Sequence, residues 1–350
     1  MKLLVTGAAG FLGQQMVLQA LARGHAVLAV VRPGSNVSAC AWYGKDGATA
    51  IEADLATASV RDVLQECLQD VDAVVHAAGA LTDSDAEHLR TTIQPTQVLV
   101  DAMLASTCRR LVLISSLSVY GYAALPDGCQ LDETTPTEPD TPQRDAYCRA
   151  KLAQEAMVLK AAQRQGLTVS VLRPGMIYGL GRWWSARLGV RIGPLVLVPG
   201  GQAALPLCHV ANAATASVLA AERDSVQSDV FVLDDPSGHR GGLEVINLID
   251  DEQPTQTAYL RELRKRVPGS PSIHVRLPWG LMRRVASAVA VATILVPAIQ
   301  SRLPGWLRPA SLHARCKPLR FSNCRLHDRL GWTQSRTWQD AIAAGVKKEA

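Results

Sequence analysis

The first thirteen residues, MKLLVTGAAGFLG, restrict the fold more than any other stretch of the chain. An unbroken aliphatic run such as Leu3-Leu4-Val5 marks a strand buried on both faces, as the strands of parallel sheets are. Gly7, Gly10 and Gly13 follow, letting the chain turn without a Cβ in the way, and Gln14 to Ala22 then reads as a helix. A glycine turn between strand end and helix start gathers unpaired N–H groups at the positive end of a helix dipole, a seat for a pyrophosphate. By itself the G-x-x-G-x-x-G spacing also fits an ordinary strand-turn-helix, so the rest of the chain has to decide.

The strand-helix pattern recurs. Val27 to Val31 is a second aliphatic strand, ending at Arg32-Pro33-Gly34-Ser35. The end of the second strand is where a dinucleotide fold reads the adenosine ribose: an acid binds a free 2′-hydroxyl, a cation accepts a 2′-phosphate. Arg32 stands 19 residues after Gly13 with no acid beside it, which favours NADP over NAD. Thr49 to Ala53 leads into Asp54-Leu55, where the carboxylate either meets an adenine amino group or caps the helix expected near Thr57. Val71 to His76 is followed by Ala77-Ala78-Gly79, small residues where a ligand has to pass close to backbone. Glu87 to Ser106 reads as a helix that Pro95 must kink or restart. Arg110 to Ser115 is a fifth strand, running into Ser116 and Val119-Tyr120-Gly121. The polar stretch from Ala123 to Arg144 reads as a surface excursion over the strand ends. In a helix from about Asp145 to Gln165, Tyr147 and Lys151 project from one face a turn apart. Thr168 to Leu172 is a sixth strand, ending in Arg173-Pro174-Gly175-Met176-Ile177-Tyr178-Gly179.

A chain of 350 residues suggests two domains, and 48% hydrophobic with 19% charged residues excludes disorder as the main state. Eight scattered cysteines, without C-x-x-C or zinc spacing, imply free thiols in a reducing compartment and no metal. No export signal precedes the first strand, so a cytoplasmic location is expected. From Arg261 to Arg329 there are fourteen Lys or Arg against two acids, a flank suited to a phosphorylated substrate, an anionic membrane surface or nucleic acid, or simply to solvent.

In series, these elements resemble an extended short-chain dehydrogenase/reductase of the NAD(P)-dependent epimerase/dehydratase superfamily. The matching residues are Thr6-Gly7-x-x-Gly10-x-x-Gly13, Asp54-Leu55, His76-Ala77-Ala78-Gly79, Ser116, Tyr147-x-x-x-Lys151, Arg173-Pro174-Gly175 and His209-Val210, in family order over about residues 1 to 235. The likeness is nearest to the branch of 3β-hydroxysteroid dehydrogenases and dihydroflavonol reductases. Where sugar-nucleotide enzymes of the family place an Asn and an Arg that hold the nucleotide, this chain has Met176 and Leu205. A largely apolar small molecule, and not nucleic acid, is therefore the expected partner. The family's Asn in the helix after strand four, which supports a proton-relay water, is replaced at Thr92.

The resemblance implies an α/β fold: a Rossmann-type doubly wound parallel sheet over 1–175 and a smaller, mostly helical substrate-binding domain over 176–350. About 208–235 is expected to rejoin the sheet through an Ala211–Glu222 helix and a Val230–Leu233 strand. It implies hydride transfer between nicotinamide and a carbonyl or alcohol, with Tyr147 as general acid/base, Lys151 drawing the phenol pKa down, and Ser116 holding the substrate oxygen. The NADP or NAD would lie on Gly7, Gly10, Phe11, Leu12, Gly13, Arg32, Asp54, Leu55, Ala77, Ala78, Tyr147, Lys151 and Pro174. Alternatives are a nucleotide-sugar epimerase or dehydratase and a cofactor-binding regulator without turnover. Trp183 to Leu207 is expected to line the cleft, with Trp183 and Trp184 as lid candidates or packing anchors. The uncharged run Val285–Ile299 is too short to span a bilayer and reads as a buried helix or, with 281–303, as an in-plane membrane contact. A homodimer is expected by analogy only.

Overall fold

The computed structural model describes residues 1–57, 60–139, 144–223, 241–271, 273–296 and 308–349. β1 (Lys2–Thr6) leads into α1 (Phe11–Ala22), β2 (Ala26–Val31) into β3 (Ala48–Glu52), and α2 (Val60–Cys67) into β4 (Ala73–His76). A broken helix follows: α3 (Asp85–His88), a π-helical turn over Leu89–Ile93, and α4 (Gln94–Leu104). Pro95 sits in the first turn of α4, where its missing N–H costs nothing, and the wider turn before it absorbs the break. β5 (Arg110–Ile114), β6 (Gln130–Leu131), α5 (Ala146–Gln165) and β7 (Thr168–Pro174) complete the first half.

The second half opens with β8 (Met176–Tyr178), β9 (Val190–Ile192), β10 (Leu195–Pro199) and β11 (Leu207–His209). α6 (Val210–Glu222) and β12 (Gly242–Leu248) come next. The chain closes with α7 (Gln256–Arg266), β13 (Ile273–Leu277), α8 (Trp279–Leu295), α9 (Pro309–Cys316), β14 (Arg320–Phe321), α10 (Cys324–Leu330) and α11 (Trp338–Glu349).

Seven strands form one parallel sheet in the order β12-β7-β5-β4-β1-β2-β3. Its two faces carry separate cores. One packs α1 and the alanine-rich α6, which come close because Ala213, Ala216 and Ala220 present so little bulk. The other packs α2, α4 and α5 through residues such as Leu64, Leu99, Met103 and Val158. Leu3 and Leu4 are fully buried on opposite faces, and each such side chain contributes roughly 1.5–3 kcal/mol. The order reverses between β1 and β4, whose carboxyl ends flank a crevice.

The seventh strand is β12, which pairs with β7 from Gly242 to Leu248, beyond the 208–235 segment expected to rejoin the sheet. The strand expected at Val230–Leu233 lies outside the described residues. Closing-segment residues Leu326, Leu330 and Trp332 also pack into the α1–α6 core. The Ala123–Arg144 stretch does more than skirt the surface: Leu131 is fully buried, and β6 pairs with β14 from the far end of the chain. Beside its helices, the second part carries a sheet of β13, β10 and β9, the last two joined through Gly193 at φ +58°.

Candidate active site

The glycine turn is built by backbone contact. Gly7 has φ +69°, and a Cβ there would lie 3.0 Å from the amide nitrogen of Ala78. A Cβ on Gly13 would fall 2.1 Å from the Gly7 carbonyl oxygen, so the first turn of α1 can rest on the loop only where residue 13 is glycine. Gly10 caps α1 without a side-chain hydrogen bond, leaving the first-turn amides of Phe11 and Leu12 without such a cap. Loop, bare helix end and the Ala77-Ala78 backbone meet at the switch between β1 and β4. These residues fit a dinucleotide: the cradle has no room for side chains, and its polar groups are donors.

Tyr147 and Lys151 come from one turn of α5, which starts where the Asp145 carboxylate accepts from the Cys148 amide at 2.9 Å. Lys151 is buried, and its Nζ donates to Ile114 O at 2.9 Å and Gln154 Oε1 at 2.8 Å. The Nζ stands 6.0 Å from the centre of the Tyr147 ring. Burial lowers the Lys151 amine to about 8, with Glu155 opposing. Burial raises the Tyr147 phenol above its ordinary value of 10, and the Ser116 hydroxyl pulls it only part of the way back. The lowering expected from Lys151 is not found: Ser116 and Arg182 favour the phenolate, but removing it from water costs more than they return, and Asp145 and Cys148 add to the rise. Ser116 also accepts from the Ser118 amide at 3.1 Å, which fixes it just after β5.

Thr6, His76 and Thr92, named in the sequence only as positions in the family pattern, join Thr96, His88, Gln154 and Arg182, which it did not single out, in tying this group to the glycine turn. His76 joins Thr6 Oγ1 at 2.7 Å and Thr96 Oγ1 at 3.0 Å, and burial lowers its pKa to about 3, so the ring is neutral. Gln154 Nε2 donates to the same Thr96 hydroxyl at 2.6 Å while its oxygen holds Lys151. A polar chain therefore runs from β1 to the Lys151 amine through the core. Thr92, fully buried, contacts His88 Nδ1 at 3.2 Å, and the His88 ring packs 5.9 Å from that of Tyr147. Lys151 Nζ and Thr92 Oγ1 both lie 3.6 Å from where a Gly79 Cβ would be. Arg182 lies over the Phe11 ring at 5.4 Å and also favours the Tyr147 phenolate, spanning the mouth from loop to phenol. The sequence signals were the family positions Thr6, His76 and Thr92; Gln154, three residues after Lys151 on one helix face, could have been found from helical spacing.

The remaining expected residues fall into two groups. Arg32 is exposed just past β2, and Pro174 ends β7, paired with Leu248. Asp54 lies in the loop between β3 and α2, where its Oδ1 accepts from the Ala56 amide at 3.0 Å. Leu55 is buried in the α2–α4 core. Met176, Leu205 and Trp183, expected to line the cleft, are core residues packed with Tyr178, Leu188 and Tyr259. The reason is Gly175: a Cβ there would sit 2.0 Å from the Pro206 carbonyl, so the two backbones abut and their neighbours point into the second core. Trp183 is the packing anchor of the two alternatives. Trp184 lines a cavity of about 340 Å³ with Val190, Pro199, Leu312 and Arg315.

Residues 3–233 match the NAD dependent epimerase/dehydratase family. The chain is 32% identical over 247 residues to the 4-hydroxy-2-methyl-3-oxo-4-farnesyl-3,4-dihydroquinoline-1-oxide ketoreductase of Stigmatella aurantiaca, covering 67% of this chain and 68% of that one. It is 28% identical over 360 residues to a 3-diazoavenalumate denitrifying reductase of a Streptomyces species, covering 98% and 99%. Among solved structures, UDP-glucuronic acid 4-epimerase from Bacillus cereus in complex with NAD superposes with a TM-score of 0.69 at 18% identity, over 99% of this chain and 96% of that one, a likeness of fold. With its seven-stranded dinucleotide sheet, glycine turn and Tyr-x-x-x-Lys helix, the chain belongs to the NAD dependent epimerase/dehydratase family of extended short-chain enzymes.

Proposed function

We propose that the enzyme is an NADP-preferring oxidoreductase that reduces a carbonyl, or oxidises the matching alcohol, on a largely apolar small molecule. The observation that carries this reading is the convergence of Tyr147, Lys151 and Ser116 at the carboxyl end of β5, one strand from the crevice. The cofactor, when bound, supplies or accepts the hydride. Gly7, Gly10, Phe11, Leu12 and Gly13 would receive its pyrophosphate, with Arg182 as a further cation at the mouth. Ala77, Ala78, Pro174 and Lys151 would border its nicotinamide half, and Asp54 and Leu55 its adenine end. Arg32 supports the choice of a 2′-phosphate, since it is exposed and stands where an acid would read a free hydroxyl.

In this reading Ser116 holds the substrate oxygen against Tyr147, which moves the proton. Lys151 steadies the phenolate end of that transfer. The apolar substrate is supported by the cavity beside Trp184, lined by Ala186, Val190, Pro199 and Leu312 with a single cation, Arg315. The name of the Stigmatella relative, a ketoreductase of a farnesylated quinoline oxide, points the same way. Eight free thiols support a reducing cell interior.

The test is NADPH consumption across a panel of ketones, aldehydes and enones, with UDP-sugars as controls, on wild type and Tyr147→Phe. The expected result is turnover of an apolar carbonyl that falls at least about a hundredfold in the variant while NADPH still binds. Turnover confined to UDP-sugars would make the enzyme an epimerase or dehydratase instead. A fully active Tyr147→Phe would remove Tyr147 from the proton transfer.

A further inference from the structure

The outer side of the β9–β10–β13 sheet is apolar where a solvated sheet face alternates to polar residues. Leu195 lies level with Ile192 on one side and Ile273 on the other, and Leu197 with Val190 and Val275. Laterally paired residues share a face, so six aliphatic side chains form one surface. Val196 and Val198, on the opposite face, fill the second core. Ile192 is 55% exposed, Ile273 54% and Val275 40%.

β13 passes through Pro278 directly into α8, which repeats the pattern. Met282 and Ala286 turn inward and pack with Leu312. On the other side of the helix, Leu281, Ala288, Val291 and Leu295 recur at helical spacing, and Leu281, Val291 and Leu295 are 50%, 56% and 75% exposed. A surface helix apolar on two sides needs something to cover the second.

Charge identifies the cover. From Leu263 to His327 the sequence holds twelve Lys or Arg and no Asp or Glu. Arg283 and Arg284 stand on the exposed part of α8, whereas Arg191 and Arg276, level with Val196 and Val198, belong to the opposite face of the sheet. Asp127 reaches α8 from outside, meeting Arg283 at 3.5 Å. A symmetric contact between two copies would set the α8 arginines against each other, whereas a surface of lipid phosphates neutralises them. Among the described residues no helix is long and apolar enough to cross a membrane, so the contact is one that lies in the interface.

We propose that this face docks on an anionic phospholipid bilayer, the aliphatic sheet side and the outer stripe of α8 entering the headgroup boundary, with Arg283 and Arg284 meeting phosphates. The inference is independent of the substrate assignment except at Val190, which also lines the cavity beside Trp184; the residues varied below do not.

The experiment is co-sedimentation of the full-length protein with phosphatidylcholine vesicles, with and without about one-third phosphatidylglycerol. Wild type should pellet with the anionic vesicles at low salt and be released at high salt. Ile273→Glu with Val275→Glu, and separately Arg283→Glu with Arg284→Glu, should each weaken binding about tenfold or more, with melting by circular dichroism unchanged. Two independent variants guard against one that misfolds. The proposal is overturned if wild type stays in the supernatant, or if it binds neutral and anionic vesicles equally. It is equally overturned if wild type is a dimer in solution that Ile273→Glu with Val275→Glu turns into monomers, which would assign the face to a second copy.

Discussion

The Lys151 ammonium rests on two acceptors, Ile114 O and Gln154 Oε1, and only the second can be changed by mutation without touching the backbone. In Gln154→Leu the amine loses an acceptor inside the core, and the Thr96 hydroxyl loses the amide that donates to it. Such a loss costs about 1–3 kcal/mol, measurable by urea denaturation. Because Lys151 is then less firmly held against the crevice, KM for the cofactor should rise more than kcat falls. Gln154→Glu, which keeps the acceptor, should restore cofactor affinity. An unchanged KM in Gln154→Leu would reduce Gln154 to a packing role. None of this was readable from composition: Gln154 and Lys151 lie on one helix, but Thr96 and Ile114 reach them only through folding.

α5 presents Tyr147 and Lys151 at fixed height above the sheet, and its start is set by Asp145, whose carboxylate accepts from the Cys148 amide. Its end is set by Gly166 in the left-handed conformation at φ +71°. Asp145→Ala should cost about 0.5–2 kcal/mol by thermal melting and fray the first turn, which carries Tyr147. Turnover should fall accordingly, and Asp145→Asn, which can still cap, should keep most of it. If Asp145→Ala melts earlier but turns over normally, the first turn is held by other contacts. The broken helix before α4 shows what pattern reading reaches: Pro95 announced the break, whereas the π turn that sets Thr92 beside His88 depends on how the segment packs against α5.

Across the whole molecule, buried titratable groups make stability depend on pH. The folded state holds His76 near 3 and His209 near 4, against an ordinary value of 6.5. A group depressed in this way stabilises the fold above pH 6.5, and the contribution is lost as pH falls toward the folded value, because the unfolded chain takes up the proton first. Asp250, raised by burial to about 7, acts in the opposite sense: its contribution is complete below its unfolded value and disappears as pH rises through about 7. His76→Asn should therefore flatten the acid limb of the melting curve between about pH 6.5 and 4 relative to wild type, by up to about 1.4 kcal/mol per pH unit. An identical slope in the variant would mean that His76 is protonated in the folded protein. At this scale the division between sequence and fold is clear. Local patterning determined the strands and helices of the dinucleotide sheet, the glycine turn and the pairing of Tyr147 with Lys151, because strand burial, helix spacing and the absence of Cβ atoms act over a few neighbouring residues. Tertiary structure alone decided that β12 completes the sheet and that Met176 and Leu205 are core. It also joined His76, Thr96, Gln154 and Lys151 in one chain and left an aliphatic sheet face outward, since each of these depends on which distant segments come to lie against one another.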